Sequence, residues 1–313
     1  NKIMNHDYQF IGNIDQRRNL HIIVLESFID PRLLVDYSFE PTPINPSLKT
    51  YLDSSKTSFS LIKSPIYGGR TAQSEFELLC GLPGLAKLNS IEFNVMQGGL
   101  VDSFVQKLNL NGYSTNAIIS TDPSYFNSRK AYKSLGFSNV NYISNAYGQL
   151  NIKGDKFLFD GVLFDQIIET LVKKKNKGKA PLFTYSLGIY GHREYYRNKD
   201  VRPDVIKVFP FHKDIDKIAN QFYYRTNALA KFFNKLQIIE NGKWIYVDKD
   251  ETLDMLLGDK NCKLDDYYER NKSKFTETQV HRFNHFQEKI GESDKKVNQN
   301  IVKGTDLIFW NNM

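Results

Sequence analysis

Four residues carry side chains suited to moving a phosphoryl group: Glu26 in LESF, Thr71 in GGRTAQSEFELLCGLPG, Arg129 in SYFNSRKAYKSLGF and His192 in FTYSLGIYGHREYY. Thr71 follows two glycines and an arginine where a helical pattern begins, with Phe76, Leu78 and Leu79 as its apolar stripe. A threonine there can cap the helix through its hydroxyl. It can also act as a nucleophile, because free N–H groups and positive potential at a helix start favour a phosphorylated side chain or a departing anion. The other three also have two readings each: Glu26 caps a helix or binds at a sheet edge, Arg129 is solvated or meets an anion, and His192 bonds to backbone or passes a proton near neutral pH. His281 and His285 lie four apart, a spacing that places both on one helix face for zinc or manganese. With Phe283 and Phe286 beside them, an ordinary amphipathic helix is the plainer reading.

These side chains need a scaffold. Residues 21–25 (HIIVL) form a short apolar run ending at Glu26, the pattern of a buried parallel strand with an acid at its carboxyl end. Ligands gather at that edge in open α/β sheets. Further strands are predicted at 116–120, 141–144, 182–187, 244–247 and 306–310, with helical patterns at 100–108, 162–174 and 214–236. The alternation predicts an α/β fold with a mainly parallel sheet covered on both faces. Residues 29–60, with Pro31, Pro41, Pro43 and Pro46, read as a long surface connection. Beyond Asp248 the chain is highly charged, so residues 1–247 are expected to form the core. Residues 248–313 would then be a mainly helical accessory segment that returns a strand at 306–310.

The 313 residues, 41% hydrophobic, suffice for one large domain with additions. A net charge of +7 suits approach to anionic lipid or a phosphate-bearing polymer. Nucleic acid is not expected as a partner, since the basic residues are scattered apart from Lys173-Lys174-Lys175, which reads as a solvated helix end. Cys80 and Cys262 are too few for a disulfide framework. No apolar run approaches the ~20 residues that span a bilayer, so any membrane anchor is expected outside this sequence.

The order of these pieces resembles the lipoteichoic acid synthase and phosphoethanolamine transferase branch of the alkaline phosphatase and sulfatase superfamily. LESF, GGRT followed by EF, the stretch GYSTNAIISTDPSYFNSRKAYKSLGF, SLGIYGHREYY and YYRTNALAKFFNKL stand in family order over residues 20–236. The resemblance implies an alkaline-phosphatase-like sandwich. It implies Thr71 as the nucleophile and a metal-bound oxygen, Glu26 as a metal ligand, and His192 as the group assisting the departing or entering oxygen. Arg129, with Phe126 and Asn127, would meet the substrate head group. The implied cofactor is a divalent ion, manganese, zinc or magnesium.

Family members complete the metal site with an adjacent Asp-His pair, which this sequence lacks. Asp248 or Asp250 of WIYVDKDE, with His281 or His285 folding back, would supply substitute ligands. The terminal TDLIFWNNM resembles the missing strand but carries Asn311-Asn312-Met313 where acid and histidine are expected. Substituted ligands, an inactive relative and a missing downstream portion are three open accounts. Residues 80–84 (CGLPG) do not fit the Cys/Ser-x-Pro-x-Arg pattern of formylglycine sulfatases.

The implied activity is transfer of phosphoglycerol or phosphoethanolamine from a phospholipid donor to a surface glycan or lipid acceptor, on the extracytoplasmic face of a bacterial membrane. A phosphodiesterase or phosphonate hydrolase of the same superfamily, and a non-catalytic binding module, are the alternatives.

Overall fold

The computed structural model describes residues 19–52, 71–82, 92–143, 154–175, 180–239 and 307–312. All of them fall in the compact unit formed by Gln9–Asp248 and Gly304–Met313. In chain order the elements are β1 (Leu20–Leu25), β2 (Ser38–Glu40), α1 (Pro46–Leu52), α2 (Thr71–Cys80), α3 (Glu92–Val95), α4 (Phe104–Leu110), β3 (Ser114–Ile119), α5 (Ser128–Ser134), β4 (Asn139–Tyr142), α6 (Asp160–Lys175), β5 (Leu182–Gly188), β6 (Lys207–Phe209), α7 (Lys213–Ile239) and β7 (Leu307–Asn312).

The main sheet has the order β4-β3-β5-β1-β7. The β4–β3, β3–β5 and β5–β1 pairs are parallel, whereas β7 runs antiparallel to β1. It is therefore the mainly parallel α/β sheet that the strand and helix alternation predicts. Side chains alternate across a strand, so β1 sends Ile22 and Val24 into one layer and Ile23 and Leu25 into the other. The first layer is closed by α2, α3, α4 and α5 through Ala72, Phe93, Leu108 and Tyr132. The second is closed by α1, α6 and α7, where Phe164 stacks on Phe232 with ring centroids 5.1 Å apart. β5, buried at every residue, sits at the centre. A side ribbon pairs β2 with β6, which are reached by the connections leaving the carboxyl ends of β1 and β5.

Several boundaries differ from the sequence reading, for local reasons. The helix predicted at 100–108 starts at Phe104, because the Ser103 hydroxyl accepts from Gln106 N–H and caps it there. The connection expected over 29–60 contains β2, α1 and a short 3-10 turn at Pro31–Leu33. The strand predicted at 141–144 lies at Asn139–Tyr142, in register with β3. The segment 244–247 lies outside the described residues. Because β7 is antiparallel, Asn311 and Asn312 pair with His21 and Leu20, at the end of β1 away from Glu26 rather than beside it.

Candidate active site

Parallel strands β1, β3 and β5 end on one edge, and the connections that follow them build a shallow pocket. Glu26 leaves β1 with its N–H bonded to Gly188 O of β5 at 2.8 Å. Thr71 opens α2, and its hydroxyl donates to Glu26 Oε1 at 2.9 Å. Capping would use the acceptor side of the hydroxyl, whereas this bond uses its proton. The pairing orients the Thr71 proton toward Glu26 and leaves lone pairs on Oγ1 for an incoming electrophile.

The pocket walls are Ala72 and Glu75 of α2, Phe93 of α3, Thr121 after β3, the Tyr125-Phe126 pair with Ser128, Tyr132 of α5, and Leu187 with Ile189 at the end of β5. Its volume is about 10 Å³, room for one water-sized or ion-sized occupant beside Thr71 and Glu26. Any larger occupant would project past Tyr125, which is 48% exposed. Burial first, and the charge of Glu26 second, raise the Tyr125 phenol above its ordinary range, so it stays a proton donor. Behind Thr71, one helical turn on, Glu75 is buried and accepts from Tyr132 Oη at 2.5 Å and Tyr185 Oη at 2.8 Å. Burial, then the Glu75 charge, drive the Tyr132 phenol well up. Two carboxylates thus line one pocket. Glu75 is tied to tyrosines, whereas Glu26 faces the hydroxyl.

The backbone around the pocket is strained. Ser27 (φ 48°), Phe126 (φ 48°) and Asn127 (φ 55°) all adopt left-handed geometry without being glycine. Such residues cost energy and persist at sites that need them.

A family model, Sulfatase, matches residues 18–246. The chain belongs to the sulfatase family. This sulfatase-family chain shares its fold with the lipoteichoic acid synthase LtaP from Listeria monocytogenes at 18% identity and a TM-score of 0.60, covering 76% of this chain and 55% of that one. It also matches the Streptococcus pyogenes phosphoglycerol transferase GacH, solved with sn-glycerol-1-phosphate, at 18% identity and TM-score 0.57, covering 73% of this chain and 59% of that one. A Rhizobium meliloti (strain 1021) protein named for cyclic beta-1,2-glucan modification is 24% identical over 188 residues, 60% of this chain and 27% of that protein. The chain thus spans between 27% and 59% of these relatives' own lengths.

Of the residues singled out in the sequence of this sulfatase-family chain, Glu26, Thr71 and Phe126 line the pocket. Asn127 lies behind it, its amide donating to Phe93 O at 2.7 Å and Met96 O at 2.8 Å, so its donors fasten α3. Arg129 is exposed on α5, outside the pocket lining. Its charge reaches Tyr142, whose hydroxyl is 3.0 Å from Ser128 Oγ. His192 sits four residues past β5, with its N–H on Ile189 O and its ring centroid 5.2 Å from that of Phe157. It too is outside the lining. Asp248, Asp250, His281 and His285 lie outside the described residues.

The donors present fit a hard divalent cation. A carboxylate and a hydroxyl stand 2.9 Å apart beside an ion-sized space, and both are oxygens of the kind magnesium and manganese prefer. Among the described residues no group of three or more His, Cys, Asp and Glu is arranged to hold a metal ion, so further ligands would come from elsewhere in the chain. Sequence reasoning missed Thr121, Tyr125 and Glu75. Glu75 carried a weak signal, being four residues after Thr71 and therefore on the same face of α2.

Proposed function

We propose that this chain is the transferase domain of an extracytoplasmic enzyme that moves phosphoglycerol or phosphoethanolamine from a phospholipid to a surface glycan or lipid, through a phosphothreonine at position 71. The observation that carries the reading is the Thr71 hydroxyl, at the start of a helix on the carboxyl edge of the sheet, donating to Glu26 at 2.9 Å. Membership of the sulfatase family and a fold shared with a phosphoglycerol transferase support it. A relative named for glucan modification supports a glycan acceptor. Among the described residues no helix is long and apolar enough to cross a membrane.

In the first half-reaction Thr71 Oγ1 attacks phosphorus as its proton passes along the existing hydrogen bond to Glu26. The new O–P bond forms as the P–O bond to diacylglycerol breaks, and the departing oxygen takes up a proton, in this reading from His192. In the second half an acceptor hydroxyl attacks the same phosphorus and gives its proton to His192; the P–O bond to Thr71 breaks, and the proton held by Glu26 returns to Thr71 Oγ1. A manganese, magnesium or zinc ion held by Glu26 and Thr71, with Asp248, Asp250, His281 or His285 as proposed further ligands, would supply charge screening and a lower hydroxyl pKa. The N-terminus of α2 adds positive potential where the phosphoryl group would sit. Arg129 would meet the head group from the rim, beside the ring of Phe126.

Intact mass of wild type and Thr71→Ala after incubation with manganese and a mixture of phosphatidylglycerol and phosphatidylethanolamine tests this. An adduct of one phospho-head-group, in the wild type alone, is expected and names the donor. Absence of both adduct and released diacylglycerol would leave the chain as a binding module. Turnover to free head-group phosphate without any acceptor would instead make it a phosphodiesterase.

A further inference from the structure

The Glu26 turn is held by a group no motif marks. Arg225, in the middle of α7, is 1% exposed and spends its guanidinium on three partners. Nε donates to Asp160 Oδ2 at 2.6 Å, Nη1 to Ser27 O at 3.0 Å and Nη2 to Glu26 O at 2.9 Å. Its carbon lies 4.8 Å from the centroid of the Phe28 ring. Asp160, the first residue of α6, is completely buried, and its Oδ1 has no hydrogen-bond partner among the described residues. Gly191 makes room for the arrangement, since a Cβ there would lie 2.1 Å from Arg225 Nη1 and 2.2 Å from Glu26 O.

A buried ion pair is a poor source of stability, because removing both charges from water offsets their attraction. This pair spends its directional bonds on the carbonyls of two consecutive residues. One of them is the acid that faces Thr71, and the other is in left-handed geometry. With Glu26 N–H already on Gly188 O, the Arg225 contact fixes the same peptide segment from its other side. The side chain of Glu26 leaves a backbone that cannot pivot, so its carboxylate stays within reach of Thr71 and of an ion between them.

We infer that Arg225, neutralised and aligned by Asp160, is the positioning residue of the candidate metal and nucleophile site, setting the direction of the Glu26 carboxylate through its backbone. The inference rests on the functional reading above. It predicts that the grip on Glu26 and the stability of the fold can be separated, as they cannot if the pair is merely a structural strut.

The test compares wild type, Arg225→Lys and the doubly neutral Asp160→Leu/Arg225→Met by manganese affinity, read from the electron paramagnetic resonance of free Mn²⁺, and by hydrogen exchange of peptides spanning residues 25–28. Lysine keeps the charge but cannot bond to both carbonyls and Asp160 in one plane. The expected result is a loss of roughly 10- to 100-fold in Mn²⁺ affinity in both variants, the size typical of groups that orient a metal ligand. Faster exchange at 25–28 should accompany it, while the double variant melts cooperatively near the wild-type temperature. Affinity within about twofold of wild type and unchanged exchange would overturn the inference. So would an affinity loss that appears only in variants whose fold is equally weakened. If the wild type takes up no Mn²⁺, the functional reading falls, and the exchange comparison alone then decides whether Arg225 holds the turn.

Discussion

At the scale of single residues, the proposed chemistry rests on one hydroxyl, that of Thr71, and one carboxylate, that of Glu26. Glu26→Gln keeps the shape but removes the charge that receives the Thr71 proton, and should slow formation of the phospho-adduct by about 10²- to 10⁴-fold by quenched intact-mass kinetics. Asn127 is expected to behave differently. Replacing it with Asp removes both amide donors and sets a charge against the Phe93 and Met96 carbonyls, so Asn127→Asp should cost roughly 1–3 kcal/mol in denaturant unfolding while leaving the KM for donor lipid unchanged. Cys80 is pushed up to about 12, by burial first, so it remains a thiol at pH 8. Peptide mapping after iodoacetamide treatment of the folded protein should find Cys80 unmodified, and full alkylation would contradict its described environment. Thr71 and Glu26 were legible because glycines, a helix start and the end of an apolar strand mark them locally. Arg225 was not, because an arginine between Tyr224 and Thr226 in a long amphipathic helix has no signature that distinguishes a buried brace from a solvated side chain. Its role exists only once α6, β1 and α7 meet.

At the scale of elements, legibility followed apolar content. β1 (LHIIVL) and β5 (LFTYSLG) are buried along almost their whole length, and β3 (STNAII) ends in a buried Ala-Ile-Ile; a parallel strand between two helical layers leaves such apolar runs in sequence. β2 and β6 have three residues each, with one side turned to solvent, too short for a period to register. α7 shows the helical pattern strongly because Phe222, Leu229, Phe232, Phe233 and Leu236 all face the core. Phe232→Ala, which would leave a hole against Phe164, is expected to cost about 3–5 kcal/mol in urea unfolding. Ile238→Ala on the same helix, 77% exposed in the parent, should change stability by no more than about 0.5 kcal/mol. Equal effects at the two positions would refute the described face of α7.

For the whole molecule, acid tolerance carries a signature of one buried histidine. His21 is 1% exposed, bonded through Nδ1 to the Thr184 hydroxyl, and burial lowers its pKa to about 3. Above pH 6.5 both folded and unfolded chains carry it neutral. As pH falls below 6.5 the unfolded chain binds a proton that the folded chain refuses until about pH 3, so stability drops by roughly 1.4 kcal/mol per pH unit across that window. The unfolding free energy of wild type minus that of His21→Phe should therefore fall steadily between pH 6.5 and about pH 4; a constant value would mean His21 is not held neutral.

The left-handed residues have a consequence for how such a chain would respond to selection. Among the described residues, Ser27, Phe126, Asn127, Glu194 and Tyr195 are the non-glycines with positive φ, and they follow β1, β3 or β5 on the pocket side of the sheet. Each holds back about 1 kcal/mol that glycine would release in part. A screen for heat tolerance that ignored catalysis would be drawn to these loops, with Ser27→Gly and Glu194→Gly among the first hits. It would return hardier proteins whose loops on that edge of the sheet are less firmly set.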